Sequence, residues 1–117
     1  MRDCIFCKII SGGIPCDKVF EDENFLAFLD IQPVGEGHTL VIPKKHFEKV
    51  LDLDKKYSSL YLDFLKKVSN LLAKKYNSDG FNIVLNNGES AGQVVKHVHF
   101  HILPRKIGDK KRGLFLG

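Results

Sequence analysis

Long hydrophobic runs are absent from this sequence of 117 residues, and so is any segment with the composition of a signal peptide. No apolar stretch approaches the roughly 18 residues that suggest a membrane-spanning helix. The N-terminal segment MRDCIFCKII carries an acid and a base among its first eight residues in place of a long apolar block. These absences predict a cytoplasmic protein that does not bind membranes.

Cysteine is also scarce, and its three copies, an odd number, do not predict a disulfide framework in a chain without a secretion signal. No internal repeat, low-complexity stretch or Pro/Gly/Ser-rich linker divides the chain, so we expect residues 1–117 to form a single domain. Hydrophobic residues make up 44% and charged residues 27%, which is typical of a globular protein and excludes a disordered chain, a collagen or a coiled coil.

The charge balance gives little support to a nucleic-acid partner. Lysine and arginine number 18 against 14 acidic residues, a net charge of +4. Much of the excess lies in the tail, at Arg105, Lys106, Lys110, Lys111 and Arg112. A cluster of this kind can bind phosphates, but it is more often a solvated tail, and we interpret it so.

The hydrophobic pattern changes its period along the chain. Residues 54–75 carry apolar side chains at i, i+3, i+4 and i+7 with lysines between them, which predicts one long amphipathic helix. A short helix is expected at residues 4–10, ended by two glycines. Five short segments favour strands, at residues 18–21, 25–30, 38–42, 81–86 and 97–103. Together they predict an α+β fold with a mainly antiparallel five-stranded sheet.

Three of the five histidines alternate with apolar residues in the segment His97-Val98-His99-Phe100-His101-Ile102-Leu103. Because successive side chains of a strand point to opposite faces, His97, His99 and His101 are expected on one face. Burying three imidazoles without partners would cost too much for a purely structural role, so the pattern indicates a functional site.

Two kinds of chemistry fit this strand. Histidines at i and i+2 can bind one metal ion, although the outer pair is about 13 Å apart in an ideal strand. Alternatively, one neutral imidazole attacks phosphorus, a second donates a proton to the leaving group, and a third polar group fixes the tautomer. On the strand alone, a zinc-dependent hydrolase and a nucleophilic enzyme both stay open.

The loop that precedes the histidines is polar and glycine-containing. Asn86 and Gln93 supply neutral donors suited to a phosphate, and Gly92 allows a ligand to approach the backbone closely. Neither GxGxxG nor GxxxxGK[ST] occurs, so a dinucleotide-binding fold and a P-loop are not supported. Beside three histidines, the loop indicates a phosphate pocket.

The histidine segment resembles the motif of the histidine triad (HIT) family. Residues 5–10, 25–31 and 38–46, and Gly92-Gln93 ahead of the first triad histidine, resemble the Hint branch of that family in the same order. The resemblance implies a HIT-like homodimer whose two sheets join. It also implies a nucleotide-binding hydrolase or nucleotidyl transferase of the adenosine 5'-monophosphoramidase type, acting on purine nucleoside phosphoramidates or aminoacyl adenylates. A purine-nucleotide sensor or scaffold with little turnover is the alternative.

The resemblance also implies the catalytic roles. His99 would be the nucleophile that forms a nucleotidyl-histidine intermediate at the α-phosphorus. The backbone carbonyl of His97 would hold the His99 ring in the attacking tautomer. His101 and His38 would face the phosphate and the leaving group. This chemistry needs no cofactor.

The same resemblance implies the nucleotide contacts. Asp30 would bind the ribose hydroxyls, although an aspartate at this position also suits a turn. An apolar wall around the base would consist of Ile5, Phe6, Ile9, Phe28 and Ile31. The surroundings of the phosphate, besides His99 and His101, would be Asn86, Gly92, Gln93 and Val94. Val94 departs from the branch, where this position often carries a hydroxyl that could bind a phosphate oxygen.

Cys4 and Cys7 have the two-residue spacing of half a zinc site. His46 and His97 are candidates for the other two ligands, and some relatives appear to use this arrangement. Zinc there would be structural, stiffening one end of the triad segment while His99 stays metal-free. The alternative is two buried thiols beside a structural histidine.

Overall fold

The computed structural model describes residues 3–109, and most of the basic tail, including Lys110, Lys111 and Arg112, lies outside the described residues. The element order is α1 (Ile5–Ile10), β1 (Lys18–Glu21), β2 (Phe25–Leu29), β3 (Thr39–Pro43), α2 (Lys55–Tyr76), β4 (Gly80–Leu85) and β5 (Phe100–Arg105). Two short 3-10 turns lie at Val50–Asp52 and Glu89–Ala91. The predicted α+β fold, with one long and one short helix, is confirmed.

The five strands form one sheet in the order β1-β2-β3-β5-β4, and every neighbouring pair is antiparallel. This order places the histidine-bearing β5 between β3 and β4. His101 pairs with Leu40 of β3 and with Val84 of β4, so it lies at the centre of the sheet.

Helix α2 covers one face of the sheet. It begins after the N-cap Asp54, whose side chain accepts a hydrogen bond from the backbone N–H of Tyr57, and it ends at Asn77 in the left-handed conformation. Its apolar stripe packs on side chains from alternate positions of the central strands. The main core contains Phe25, Val41, Tyr57, Tyr61, Phe64, Val68, Leu72, Val98 and Ile102.

The opposite face of the sheet is covered only in part, by α1. A second core cluster forms there between the short helix and the alternate strand positions. Its buried members are Cys4, Phe6, Leu26, Phe28, Leu40 and Ile42. His101 belongs to this face, because its partner Leu40 does, and its side chain is buried there.

The last predicted strand is wrong in its bounds. It begins at Phe100 rather than at 97, because the backbone N–H of Val98 donates to the carbonyl of Phe47 (2.7 Å) and the carbonyl of Pro43 bonds the ring of His97. The strand continues through Pro104 to Arg105. Its pairing with β3 ends at Ile102, so Pro104, which has no backbone N–H to donate, does not interrupt the hydrogen bonds between β3 and β5.

Candidate functional site

His99 lies just before β5 and is 3% exposed. Its Nδ1 is 2.8 Å from the backbone carbonyl oxygen of His97. A carbonyl oxygen only accepts hydrogen bonds, so Nδ1 must carry the ring proton and the Nε2 of a neutral ring carries the lone pair. The backbone of His97 thereby sets His99 in the tautomer that a nucleophile needs.

His38 and His101 form a second fixed arrangement. The backbone N–H of Val34 donates to Nδ1 of His38 at 3.1 Å, so that nitrogen has the lone pair and Nε2 carries the proton. Nε2 of His38 is 2.9 Å from Nδ1 of His101 and donates to it. The remaining proton of His101 is therefore on Nε2. We call this chain of Val34, His38 and His101 the histidine relay.

The relay requires His38 to be neutral. Burial lowers the pKa of the His38 imidazole from its ordinary value, and the nearby Asp30 carboxylate opposes this only in part. The two side chains approach to 3.7 Å between Asp30 Oδ2 and His38 Nε2. Desolvation prevails because the His38 ring is 2% exposed.

Asp30, His38 and His101 also lie close enough to share a metal ion, but their hydrogen bonds argue against it. A metal on Nε2 of His38 would force the ring proton to Nδ1, where it would oppose the N–H of Val34. This group is therefore better described as a proton-bearing chain than as a metal site.

An apolar cavity of about 240 Å³ opens beside these histidines. It lies between α1, β2 and the triad, and both His99 and His101 border it together with Asp30. The structure brings the five expected wall residues together there: Ile5, Phe6, Ile9, Phe28 and Ile31. A cavity with apolar walls, one carboxylate and two imidazoles at its end suits a flat, uncharged group attached to polar ones.

Sequence reasoning missed six other residues of this wall. They are Ile14, Pro15, Cys16, Leu29, Leu40 and Val95. The segment from Ile14 to Cys16 had a signal, since it is a short run of small and apolar residues between α1 and β1. Val95 had none, because it reaches the cavity only through the path of the loop before the triad.

Asp30 has the turn role expected from the sequence, and its binding of a ribose stays a prediction. Its Oδ1 accepts a hydrogen bond from the backbone N–H of Gln32 at 3.0 Å, which is the turn role. Its carboxylate also borders the cavity, with the side chain 21% exposed. One oxygen thus fixes the turn while the carboxylate stays accessible to a ligand.

The loop before the triad is closed by the side chain of Gln93. The Gln93 side chain is turned inward, where it accepts from the N–H of Gly88 (2.7 Å) and donates to the carbonyls of Glu48 (2.6 Å) and Val95 (3.0 Å). Both of its amide protons are used in closing the loop, and the place of Gln93 beside a phosphate stays a prediction.

The other three expected phosphate neighbours are not among the residues that border the apolar cavity. Asn86 is half-buried, Gly92 adopts a left-handed conformation (φ 92°), and Val94 is 76% exposed. Val94 borders a second, more open pocket. Its neighbour Val95 borders both this pocket and the apolar cavity.

Cys4, Cys7, His46 and His97 meet in a second cluster, with their ligand atoms within 4.8 Å of one another. We call it the thiol–imidazole cluster. Nδ1 of His97 is 3.4 Å from Sγ of Cys4 and 3.6 Å from Sγ of Cys7, and Nδ1 of His46 is 3.2 Å from Sγ of Cys7. In a tetrahedral zinc site, a sulfur and a nitrogen ligand are about 3.5 Å apart, so the spacing fits.

The hydrogen bonds of His97 support the same fit. Its Nε2 is 2.8 Å from the carbonyl oxygen of Pro43, which can only accept, so Nε2 carries the proton and Nδ1 directs its lone pair at the thiols. A carbonyl that fixes the tautomer of a histidine ligand is a common neighbour of zinc in proteins. The cluster therefore has the donor set and orientation of a closed Cys2His2 site.

Taken together, the sheet and the two histidine systems define a class of protein in which hydrogen-bonded imidazoles border an apolar cavity. The model of the HIT domain matches residues 11–108 of the chain. A HIT-like protein of Methanocaldococcus jannaschii is 55% identical over 91% of this chain and 81% of its own length. The chain therefore belongs to the HIT domain family.

Relatives with named activities are hydrolases. An adenosine 5'-monophosphoramidase of Candida albicans is 45% identical over 97% of this chain and 76% of its own length. An adenylylsulfatase of Arabidopsis thaliana is 43% identical over 92% of this chain and 55% of its own length. By this relationship the chain is a hydrolase.

Solved structures agree with the fold. A protein of Streptococcus mutans superposes with a TM-score of 0.91 at 44% identity, covering 100% of this chain and 74% of that one. A zinc-bound histidine triad protein of Mycobacterium smegmatis superposes with a TM-score of 0.87 at 40% identity. The match covers 92% of this chain and 78% of that one. Among residues 3–109 there is no helix whose length and hydropathy would let it cross a membrane.

Proposed function

We propose that this chain hydrolyses the bond between the α-phosphorus and the leaving group of purine nucleoside phosphoramidates or aminoacyl adenylates. The observation that carries the proposal is the pair of fixed tautomers beside one cavity. His99 holds a lone pair on Nε2, and His101 holds a proton on Nε2. The activity named for the Candida albicans relative supports the same substrate class.

In the first step, Nε2 of His99 attacks the α-phosphorus and the bond to the leaving nitrogen breaks. The departing amine takes the Nε2 proton of His101, while the hydrogen bond from His38 supports the proton-deficient ring. The attack leaves a positive charge on the substituted His99 ring. This charge balances the negative charge that the relay carries after His101 gives up its proton. The carbonyl of His97 faces that charge at Nδ1.

In the second step, water attacks the phosphorus of the nucleotidyl-histidine, the bond from phosphorus to Nε2 of His99 breaks, and one proton of the water returns to Nε2 of His101. The two steps together consume one water and release an amine and a nucleoside monophosphate. The base would lie against the apolar wall and the ribose hydroxyls against Asp30. Asn86, Gly92 and the backbone of Val94 would lie near the phosphate.

The substrate test compares two bonds in matched nucleotides. Purified protein is assayed with adenosine 5'-phosphoramidate and with a dinucleoside polyphosphate of the same base. We expect faster cleavage of the P–N bond, because an amine leaves only after it is protonated and the relay supplies that proton. Equal or faster cleavage of the polyphosphate would contradict the proposal.

We propose further that the thiol–imidazole cluster holds a structural zinc ion through Cys4, Cys7, His46 and His97. When bound, the metal supplies a rigid tether and no electrophile, since four protein ligands leave no open position. Elemental analysis of protein purified without chelator is expected to give close to one zinc per chain. Cys7→Ser should release the metal and lower the Tm, because the binding energy of a structural metal is folding energy.

A cytoplasmic location belongs to the same proposal, since a reducing compartment keeps Cys4 and Cys7 as thiols that can hold a metal. Among the described residues, no disulfide joins Cys4, Cys7 or Cys16.

We also propose that the protein is a homodimer in which two sheets join at β4. Within residues 3–109, β4 is at the edge of the sheet, and its Ile83 is 46% exposed. Helix α2, next to it in the chain, exposes Leu62 and Leu71. Sedimentation should give a dimer at micromolar concentration, and Ile83→Lys should give a monomer with the same circular dichroism, since a charge blocks pairing at a strand edge.

A further inference from the structure

Phe6 stands between the two cysteines of the thiol–imidazole cluster in the sequence and beside the nucleophile in space. Its ring is 5% exposed and meets the His99 ring edge to face, with centroids 5.1 Å apart and planes at 84°. It also contacts the rings of His97 at 5.7 Å and Phe28 at 5.7 Å. Phe6 is therefore in contact with the cluster, the apolar wall and His99 at once.

Two restraints hold the His99 ring. The hydrogen bond to the His97 carbonyl fixes the position of Nδ1 but leaves the plane of the ring able to tilt about that bond. The ring of Phe6, packed almost perpendicular to it, limits that tilt. Both restraints come from chain segments that belong to the cluster, because His97 is one of its members and Phe6 lies between two others.

Part of the cluster borders a second pocket next to the apolar cavity. Cys4 and His46 border the second, more open pocket, which has a volume of about 520 Å³. Asp3, Glu48 and Lys96 also line that pocket. Loss of a metal from the cluster can thus begin at Cys4 and His46, which border the pocket, while Phe6 contacts the ring of His99.

We propose that Phe6 is a positioning residue for His99 and that it transmits the state of the thiol–imidazole cluster to the nucleophile. When the cluster holds its metal, the start of α1 is fixed and Phe6 keeps the His99 ring in its attacking orientation. When the metal is lost, α1 loosens at both cysteines and the His99 ring gains freedom to tilt. The inference rests on the proposed function, since it takes His99 as the nucleophile.

Phe6→Leu and Phe28→Leu are a matched pair for the kinetic test. Both residues line the apolar cavity and are comparably buried, and Phe6 is the one whose ring packs edge to face on the ring of His99 at 5.1 Å. With adenosine 5'-phosphoramidate, both variants should raise KM. Phe6→Leu should in addition lower kcat by about tenfold more than Phe28→Leu, because small displacements of a reacting group are costly. Equal losses of kcat in the two variants would overturn the proposal.

A second measurement does not depend on turnover. The nitrogen and Cε1–H signals of the His99 ring are followed by NMR in the wild-type protein before and after zinc is removed with a chelator. We expect the His99 signals to shift or broaden on removal, and we expect this response to be at least halved in Phe6→Leu. Unchanged His99 signals on metal removal would overturn the coupling.

The two measurements also separate this inference from the proposed function. A wild-type protein that cleaves no phosphoramidate would refute the proposed function, and the NMR response would still test the coupling. If Phe6→Leu does not fold, Phe6→Met provides the same comparison with a more flexible side chain of similar volume.

Discussion

The histidine relay makes His38 the most informative residue to change. His38 accepts from the N–H of Val34 at Nδ1 and donates to His101 at Nε2. Asparagine places an amide group near the position of Nδ1, and glutamine places one near the position of Nε2. His38→Asn therefore keeps a partner for Val34 but loses the donor to His101. His38→Gln keeps the donor to His101.

The magnitudes follow from these contacts. Each variant leaves one buried polar group without its partner, so each should lose about 1–3 kcal/mol of unfolding free energy. Their catalytic effects should differ much more. Without a donor at Nδ1, His101 can adopt the tautomer with its proton on the wrong nitrogen, and general acid catalysis contributes about 10²- to 10⁴-fold. We expect His38→Asn to lose at least about 100-fold in kcat and His38→Gln about tenfold or less.

The assay uses two leaving groups. Adenosine 5'-phosphoramidate requires a proton for its amine to leave, whereas the nitrophenyl ester of AMP releases a stable phenolate. His38→Asn should be strongly impaired on the first and much less on the second. Equal kcat in the two variants, or the same loss on both substrates, would refute the tautomer assignment.

Three further predictions follow from the described contacts. Asp30→Asn keeps an acceptor for the Gln32 N–H but loses the charge that would face the ribose, so KM should rise by about tenfold with little change in Tm. Burial lowers the pKa of His38 in the folded state, so the free energy of unfolding should fall as the pH drops below about 6.5 toward that lower pKa. Denaturant titrations at several pH values should show a smaller fall in the free energy of unfolding for His38→Gln. Tyr61→Phe removes a buried hydroxyl that donates to the Val41 carbonyl at 2.6 Å. Urea titration should show a loss of about 1–2 kcal/mol in the free energy of unfolding. The value of kcat should stay unchanged, because this contact is on the α2 face of the sheet.

Much of the fold could be predicted from the sequence, because the periodicities of α2 and of the strands are local signals. The stripe from Tyr57 to Tyr76 specifies a helix by itself, and the caps at Asp54 and Asn77 agree with it. The start of β5 could not be predicted in this way. The pattern of alternation continues back to His97, but the backbone partners there come from Phe47 and Pro43, which are distant in the chain.

The site shows the same division. The alternation predicted that His97, His99 and His101 would share a site, and the resemblance added His38. The spacing of Cys4 and Cys7 predicted half of the thiol–imidazole cluster, with His46 and His97 as candidates for the rest. The hydrogen bond from His99 to the carbonyl of His97 was expected from the resemblance and is present. The tautomers of His97 and His38 depend on the carbonyl of Pro43 and the amide of Val34, and such backbone groups leave no trace in residue identity. The inward rotation of Gln93 likewise depends on the path of the neighbouring loop at Glu48.

The central claim is that His99 attacks phosphorus through Nε2, and mass spectrometry after a brief reaction with adenosine phosphoramidate tests it most directly. The wild-type protein, quenched within one turnover, should carry one nucleotidyl group on the peptide that contains His99, and His99→Ala should carry none while losing at least about 10³-fold in turnover. Turnover by the wild-type protein with no adduct, or near-normal turnover by His99→Ala, would contradict the account.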